Sequence, residues 1–484
     1  MYFVVDAAEN YICCKYNVQD MTLIKSISGI RGTIGGAPGD NLTPLDAVKF
    51  ASAYGKWIKA ASGKTRPVVV IGRDARISGS MIQSLVQNTL VGIGCDIVDL
   101  GLSTTPTVEI AVPMENADGG IILTASHNPK EWNALKLLNN KGEFLDGEEG
   151  QKILDTAAAE DFAYAEVDDL GQVTAKTDYI DKHIVEVLNL PLVQVEAIKA
   201  GNFKVVVDGV NSTGGIAVPA LCKALGVEVV ELYCDPTGHF PHNPEPLKEH
   251  LGDLCTAVKE HKADFGITVD PDVDRLAFIT EKGEMFGEEY TLVACADYVL
   301  SKNKGNTVSN LSSSRALRDV TQKHGGTYEA AAVGEVNVVK KMKDLKAVIG
   351  GEGNGGIIYP ESHYGRDALV GIALFLSLLT EKKMKVSELR DSYPSYFMSK
   401  KKVQLTPGMP VDAILKDVEK EYKNSDLTTI DGVKIDFDTE WVHLRKSNTE
   451  PIIRVYTESG TQESADALAS RFIAELEVIA QQHG

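Results

Sequence analysis

A chain of 484 residues outgrows a single hydrophobic core, so it should divide into roughly three or four domains of about 100–150 residues each. Its hydrophobic fraction of 43% suits ordinary soluble cores, while a formal charge of −19, from 68 acidic against 49 basic residues, excludes a broad nucleic-acid surface or an anionic membrane as partner. Basic groups that meet an anionic ligand must then be local, and the expected partner is a small molecule. The seven cysteines (Cys13, Cys14, Cys95, Cys222, Cys234, Cys255, Cys295) are odd in number and contain no C-x-x-C pair, which fits a reducing cytoplasm and not a disulfide scaffold.

Residues 1–20 lack both a basic start and a long apolar centre, so they do not resemble a secretory signal; coherent patterning begins at Met21, and 1–20 reads as a non-core extension. In Ser28-Gly29-Ile30-Arg31-Gly32 the arginine can reach a phosphate from a glycine-rich turn. Thr43 as cap, Pro44 in the first turn, Asp46 at the positive dipole end and Ala47, Phe50, Ala51, Tyr54 and Ile58 at helical spacing predict a helix over 44–60. Pro67 to Ile71 then reads as a buried strand ending at Gly72-Arg73-Asp74. The same short β-branched run closing on glycine or aspartate recurs at Val205-Val206-Val207-Asp208-Gly209 and Ala347-Val348-Ile349-Gly350-Gly351, which predicts three α/β domains built on similar lines with their working loops at strand ends. Residues 156–178 look like a surface connection, and Pro394 with the Pro407-Gly408-Met409-Pro410 turn marks a break near 385–410. Ala368 to Leu379 reads as a buried helix, since a membrane span needs roughly 20 apolar residues. The remainder is a small α+β unit whose last helix, capped by Thr461, buries Ala465, Leu468, Phe472, Leu476 and Ile479. The expected division is 21–170, 171–278, 279–392 and 393–484.

Four loops carry chemistry. Thr124-Ala125-Ser126-His127-Asn128-Pro129 follows the apolar strand Ile121-Ile122-Leu123 and sets a serine among turn-forming residues; such a serine can carry a phosphate if a base, a metal or prior phosphorylation helps it. Lys136, between Leu135 and Leu137, is either an edge-strand lysine that discourages aggregation or, partly desolvated near phosphate, a general acid and base. Asp270, Asp272 and Asp274 fill one turn between two apolar strands; Arg275 stands where an EF-hand needs glycine, so the turn suits Mg²⁺ better than Ca²⁺. Gly350-Gly351-Glu352-Gly353-Asn354-Gly355-Gly356 is a flexible polar loop. Arg445, Ser447, Asn448, Thr449 and Arg454 lie between two strands and offer the forks, hydroxyls and N–H groups that a phosphate monoester needs. Cys234, His239 and His242 lack a well-spaced fourth ligand for zinc.

Taken in order, these loops resemble those of the α-D-phosphohexomutase superfamily, over essentially all of residues 21–484. The resemblance implies four domains around a central cleft, three similar α/β domains and a smaller α+β C-terminal domain. It implies Ser126 as a phosphoserine, Mg²⁺ on Ser126, Asp270, Asp272 and Asp274, and Lys136, Arg275 and Arg31 at the reacting centre. Glu352 and Asn354 would meet the sugar, and Arg445, Ser447, Asn448, Thr449 and Arg454 its phosphate. A cytoplasmic monomer or homodimer would interconvert hexose 6- and 1-phosphates through a sugar bisphosphate, which also serves as activator. Many bacterial members read Glu-x-Ser-Gly-His at the sugar loop, where this chain has Glu352-Gly353-Asn354-Gly355-Gly356; a histidine that some phosphomannomutases carry appears as Glu335. The variant loop is most similar to that of phosphoglucosamine mutases of an archaeal-like branch, which implies glucosamine 6-phosphate, with mannose and glucose phosphates as alternatives. Asp270-x-Asp272 after a strand also resembles Mg²⁺-dependent phosphatases that would use Asp270 as nucleophile, and a non-enzymatic sugar-phosphate sensor is a third reading.

Overall fold

The computed structural model describes residues 21–26, 29–406, 408–447 and 452–483. The extension 1–20 and the loop residues Asn448 and Thr449 lie outside the described residues. The first of four sheets has β1 (Ile24–Ser26), β2 (Gly29–Thr33), β3 (Val68–Arg73), β4 (Asp96–Leu102), β5 (Gly119–Leu123), β6 (Trp132–Leu138) and β7 (Val173–Ala175) in the order β1-β2-β6-β5-β3-β4-β7. The second holds β8 (Lys204–Asp208), β9 (Glu228–Leu232), β10 (Phe265–Val269) and β11 (Leu276–Thr280), ordered β11-β10-β8-β9. The third holds β12 (Asn306–Asn310), β13 (Tyr328–Ala331), β14 (Ala347–Glu352) and β15 (Gly356–Ile358), ordered β13-β12-β14-β15. All three share one motif: a first strand with parallel neighbours on both sides, the second of which turns back as an antiparallel hairpin.

That motif places the chemistry. The hairpin loop carries Ser126 in β5–β6, the three aspartates in β10–β11 and residues 353–355 in β14–β15. The last sheet, β16 (Phe397–Gln404), β17 (Asp426–Thr428), β18 (Val433–Asp436), β19 (Trp441–Lys446) and β20 (Ile452–Ser459), is antiparallel in the order β16-β20-β19-β18-β17, and its β19–β20 hairpin bears Ser447. Strands β5, β10 and β11 are buried at every position, which is why they read as continuous apolar runs instead of alternating ones.

The first helix spans Pro44–Ser62, with a reciprocal capping box between Thr43 and Asp46, and Gly63 ends it in the left-handed conformation at φ 68°. Two stretches differ from the sequence reading. Within 156–178, the helix Gly147–Ala159 covers the start and β7 pairs in parallel with β4; the strand is exposed throughout, so it carries no apolar signal. The break read near 385–410 is where one core ends, at Tyr393, and the next begins, at Val403; it is nonetheless regular, with the helix Val386–Asp391 and the eight-residue strand β16, whose run of lysines blunts a sheet edge. Lys136, by contrast, is not on an edge, since β6 lies between β2 and β5. No helix among the described residues is long and apolar enough to cross a membrane.

The second and third domains share one hydrophobic core. The helix Ala368–Lys382 runs through it, and Phe375 stacks on Phe278 at 3.9 Å while meeting Phe265 and Phe286 edge-on. The last domain has its own core, around Val442, Val455 and Phe472, and meets the third through polar contacts. There Arg315 N donates to Glu458, Val333 N donates to Asp431, and Ser312 Oγ lies 2.9 Å from His443 Nδ1. Phe375→Ala should cost about 3–5 kcal/mol. The check is hydrogen exchange under denaturant: β10, β11 and β14 should open earlier together, with the last domain's own transition unmoved.

Candidate active site

Ser126 is held by a loop that is rigid for a nameable reason. Arg76 is buried, pairs with Asp74 at 2.9 Å, and spends its remaining donors on the carbonyls of Ser126, Asn128, Pro129 and Trp132. Asp74 also accepts from Thr124 Oγ1 at 2.7 Å, and Thr124 Oγ1 in turn accepts from Ser126 N at 2.9 Å. Ser126 itself sits in the left-handed region at φ 49°, as does the β-branched Val273 of the facing acidic turn at φ 65°. Backbone conformations of that kind cost on the order of 1–3 kcal/mol each and persist where the surroundings dictate them.

Ser126 Oγ donates to Asp270 Oδ2 at 2.6 Å, across the boundary between the first two domains. Asp270 Oδ1 accepts from the backbone N of Asp274 and Arg275, so both of its oxygens are occupied. Asp272 Oδ2 accepts from Thr105 Oγ1 at 2.6 Å and from Lys136 Nζ at 2.7 Å; Asp274 Oδ2 accepts from Lys136 Nζ at 3.5 Å and Arg366 Nη2 at 2.6 Å. The other oxygen of each, Oδ1, is buried without a hydrogen-bond partner among the described residues. Two dry, unpaired carboxylate oxygens are costly unless a cation takes them, and one oxygen from each aspartate lies within 4.8 Å of the others. An all-oxygen donor set of that span fits Mg²⁺.

Charge follows the same geometry. Burial, then Asp274 and Asp272, push the Asp270 carboxyl well above the usual carboxylate range. Burial would raise Asp274 too, but Arg366, Lys136 and Arg275 outweigh it and hold that carboxyl low. Lys136 is desolvated as the sequence reading supposed, yet Asp272 and Asp274 overcome the desolvation and hold its ammonium pKa above the ordinary value. In this arrangement Lys136 holds its proton. His127, buried beside Arg275, is driven well below its usual pKa by burial first and then by that cation.

From these loops His127, Asn128 and Arg275 line a cleft of about 1160 Å³, together with Arg31, Glu352, Asn354, Arg445 and Arg454 among others. Ser447 follows β19, and its N donates to Ile452 O at 3.0 Å. The Arg31 guanidinium has a lowered pKa, through partial desolvation and then through Arg454 and Arg275. Arg445 and Arg454 are directly opposed across β19 and β20, with Asp431 offsetting Arg445 at 2.8 Å. Like charges gathered this way from the first, second and last domains make an anion site. Asn354 Oδ1 accepts from Gly356 N at 3.2 Å, so this side chain shapes the sugar loop from within. Gly355 is there of necessity: at φ 87°, a Cβ would stand 2.2 Å from Leu276 O of the metal-loop hairpin. Sequence reasoning missed Arg76 and Arg366, whose partners are remote in the chain, and His239 and Cys234 join no metal-binding group among the described residues.

Models of the phosphoglucomutase/phosphomannomutase family match residues 23–164 (alpha/beta/alpha domain I), 178–283 (domain II), 287–396 (domain III) and 400–475 (C-terminal domain). The chain belongs to this family. It is similar to a phosphoglucomutase/phosphomannomutase of Thermococcus kodakarensis, 38% identical over 90% of this chain and 95% of the relative. It is also similar to a phosphoglucosamine/phosphogalactosamine mutase of Sulfurisphaera tokodaii, 32% identical over 91% and 96%. The solved structure of a phosphoglucomutase/phosphomannomutase family protein from Burkholderia thailandensis superposes with a TM-score of 0.82 at 25% identity, covering 96% of this chain and 99% of that one. The protein is thus a phosphohexomutase, an intramolecular phosphotransferase acting on a sugar phosphate.

One buried group of this phosphohexomutase gives its domain docking a pH dependence. Burial pushes the His443 imidazole down to about 4. An unfolded histidine titrates near 6.5, so between about 6.5 and 4 the unfolded state binds more protons than the folded one. The stability is present above that window and is lost as pH falls through it. The thermal midpoint of the last domain should drop across this window, and His443→Gln should flatten the slope, as followed by calorimetry at closely spaced pH values.

Proposed function

We propose that this phosphohexomutase converts glucosamine 6-phosphate to glucosamine 1-phosphate by way of phosphorylated Ser126 and a sugar bisphosphate. The observation that carries the reading is the 2.6 Å contact of Ser126 Oγ with Asp270 in a turn that leaves Oδ1 of Asp272 and of Asp274 unpartnered. Asp270, Asp272 and Asp274, with an oxygen on Ser126, would hold Mg²⁺, which when bound supplies charge neutralisation at the transferring phosphoryl group. Lys136 would give a proton to the oxygen from which the phosphoryl group departs and, in the opposite direction, take the proton from the hydroxyl that receives it. Arg275, held by Glu245 at 3.1 Å, and Arg31 stabilise equatorial phosphoryl charge from the two sides of the cleft. Arg445, Ser447, Asn448, Thr449 and Arg454 hold the phosphate that is not transferred. Once the serine has passed its phosphoryl group to the sugar 6-phosphate, the resulting bisphosphate turns over in the cleft and its other phosphate returns to Ser126.

The amino sugar is favoured by the variant loop Glu352-Gly353-Asn354-Gly355-Gly356, which lines the cleft through Glu352, Gly353 and Asn354. The phosphoglucosamine/phosphogalactosamine mutase relative supports that preference. The Thermococcus relative supports a second reading, glucose or mannose phosphate, for the same mechanism. A phosphatase using Asp270 as nucleophile would keep its activity in Ser126→Ala, which separates that reading from the mutase.

The test is ³¹P NMR of the Mg²⁺-loaded protein with glucosamine, mannose and glucose 6-phosphates in parallel, each primed with its bisphosphate. A 1-phosphate signal growing fastest from glucosamine 6-phosphate is expected, and faster growth from another sugar reassigns the substrate. Ser126→Ala should abolish turnover, a loss of at least about 10⁴-fold for a nucleophile; retained activity, or inorganic phosphate as sole product, would overturn the serine mechanism.

A further inference from the structure

Arg366 is the most heavily engaged side chain of the cleft, and none of the steps above uses it. It precedes the helix Ala368–Lys382, is only 9% exposed, and directs its donors to three carboxylates. Its backbone N and Nε donate to the two oxygens of Glu335 at 3.1 and 2.9 Å. Nη1 donates to Glu352 Oε2 at 2.8 Å, and Nη2 to Asp274 Oδ2 at 2.6 Å. Glu352 is thereby fixed at both ends, because its Oε1 already accepts from Asn310 Nδ2 at 2.8 Å and Gly334 N at 3.2 Å. Asp274 is turned so that its Oδ1 remains unpartnered.

The space for this guanidinium is made by a missing side chain. A Cβ on Gly356 would stand 2.3 Å from Arg366 Cδ, closer than any carbon contact tolerates. Glycine at 356 and arginine at 366 are therefore one device, with Glu335 as the counter-ion that holds the inner edge of the guanidinium. A planar fork can bridge two carboxylates at a fixed separation, whereas the point charge of a lysine cannot.

We propose that Arg366 is a positioning residue that ties the sugar loop to the metal loop, through Glu352 on one side and Asp274 on the other, so that hexose phosphate and divalent cation bind cooperatively. The proposal rests on the phosphohexomutase reading of both loops. Coupling between two sites is reciprocal and needs a physical element that both ligands bias. Arg366 is such an element, since a sugar that shares the Glu352 carboxylate with it changes the pull on the guanidinium that aims Asp274.

The experiment uses dephosphorylated full-length protein, which has no phosphoryl group to transfer. Free Mn²⁺ is followed by electron paramagnetic resonance, with and without saturating glucosamine, mannose or glucose 6-phosphate. In the unaltered protein at least one sugar phosphate should tighten Mn²⁺ binding by about 5–150-fold. Arg366→Lys should still bind Mn²⁺ and sugar phosphate singly while that factor collapses toward one. Gly356→Ala, which displaces the guanidinium and leaves every carboxylate in place, should do the same, and the double variant should lose nothing further. Coupling that persists in either folded variant, or that is absent from the unaltered protein, overturns the proposal. Coupling without mutase turnover in the NMR assay would instead sink the functional reading, and turnover without coupling would sink this proposal alone.

Discussion

Three carboxylates in the turn Asp270 to Asp274 repel one another in a site from which water is excluded, and the protein answers with cations drawn from different domains. Lys136 comes from the first, Arg275 from the acidic loop's own domain and Arg366 from the third. The Lys136 and Arg366 contacts are charge-assisted bonds whose loss would leave a buried charge uncompensated, at about 3–5 kcal/mol, while Arg275 acts through its charge alone. The arrangement of the first three domains is thus set as much by this one turn as by apolar packing. The charge balance is incomplete without an ion, since Oδ1 of Asp272 and of Asp274 has no partner.

A second anchor lies one residue along the chain from Arg366. Asp367 caps the helix Ala368–Lys382 through Oδ1, while its Oδ2 accepts from His183 at 2.8 Å and His363 at 3.1 Å. His363 reaches Glu109 of the first domain at 3.3 Å, and His183 meets Thr107 Oγ1 at 2.9 Å. Burial works against a charged His363, but Asp367 and Glu109 outweigh it and raise its pKa to about 10. One dipeptide at a helix start therefore holds both the reacting loops and the faces of three domains. The shared aromatic core beneath it keeps the second and third domains a single body.

What could be read from the sequence was whatever is contiguous. The serine loop, the acidic turn and the arginine-flanked hairpin each pack several functional side chains into a few residues between apolar strands, so composition alone exposes them. The threefold repeat of strands closing on glycine or aspartate was legible for the same reason, and the structure turns it into one shared sheet motif with equivalent hairpins. Arg76 and Arg366 were invisible because their partners are scattered: Arg76 reaches carbonyls 50 or more positions away, and Arg366 reaches Asp274, 92 positions back. Strand β16, just past the domain break, carries no strand signal because an edge strand tolerates the lysines that a buried strand does not. For Lys136, the sequence showed a lysine between leucines but not the two carboxylates that reverse the effect of its burial.

The last domain obeys a different balance. Its own core closes without the others, and its contacts to the third domain include hydrogen bonds and ion pairs. Meanwhile Arg454, carried by this domain, faces Arg31 of the first and Arg275 of the second, and their mutual repulsion disfavours close approach. A phosphate dianion among them changes the sign of each of those interactions at once. A ligand moves a conformational equilibrium only by its difference in affinity between the two states. Here that difference is built from charges on separate domains, so an anion bound among Arg31, Arg275 and Arg454 favours bringing those walls of the cleft together.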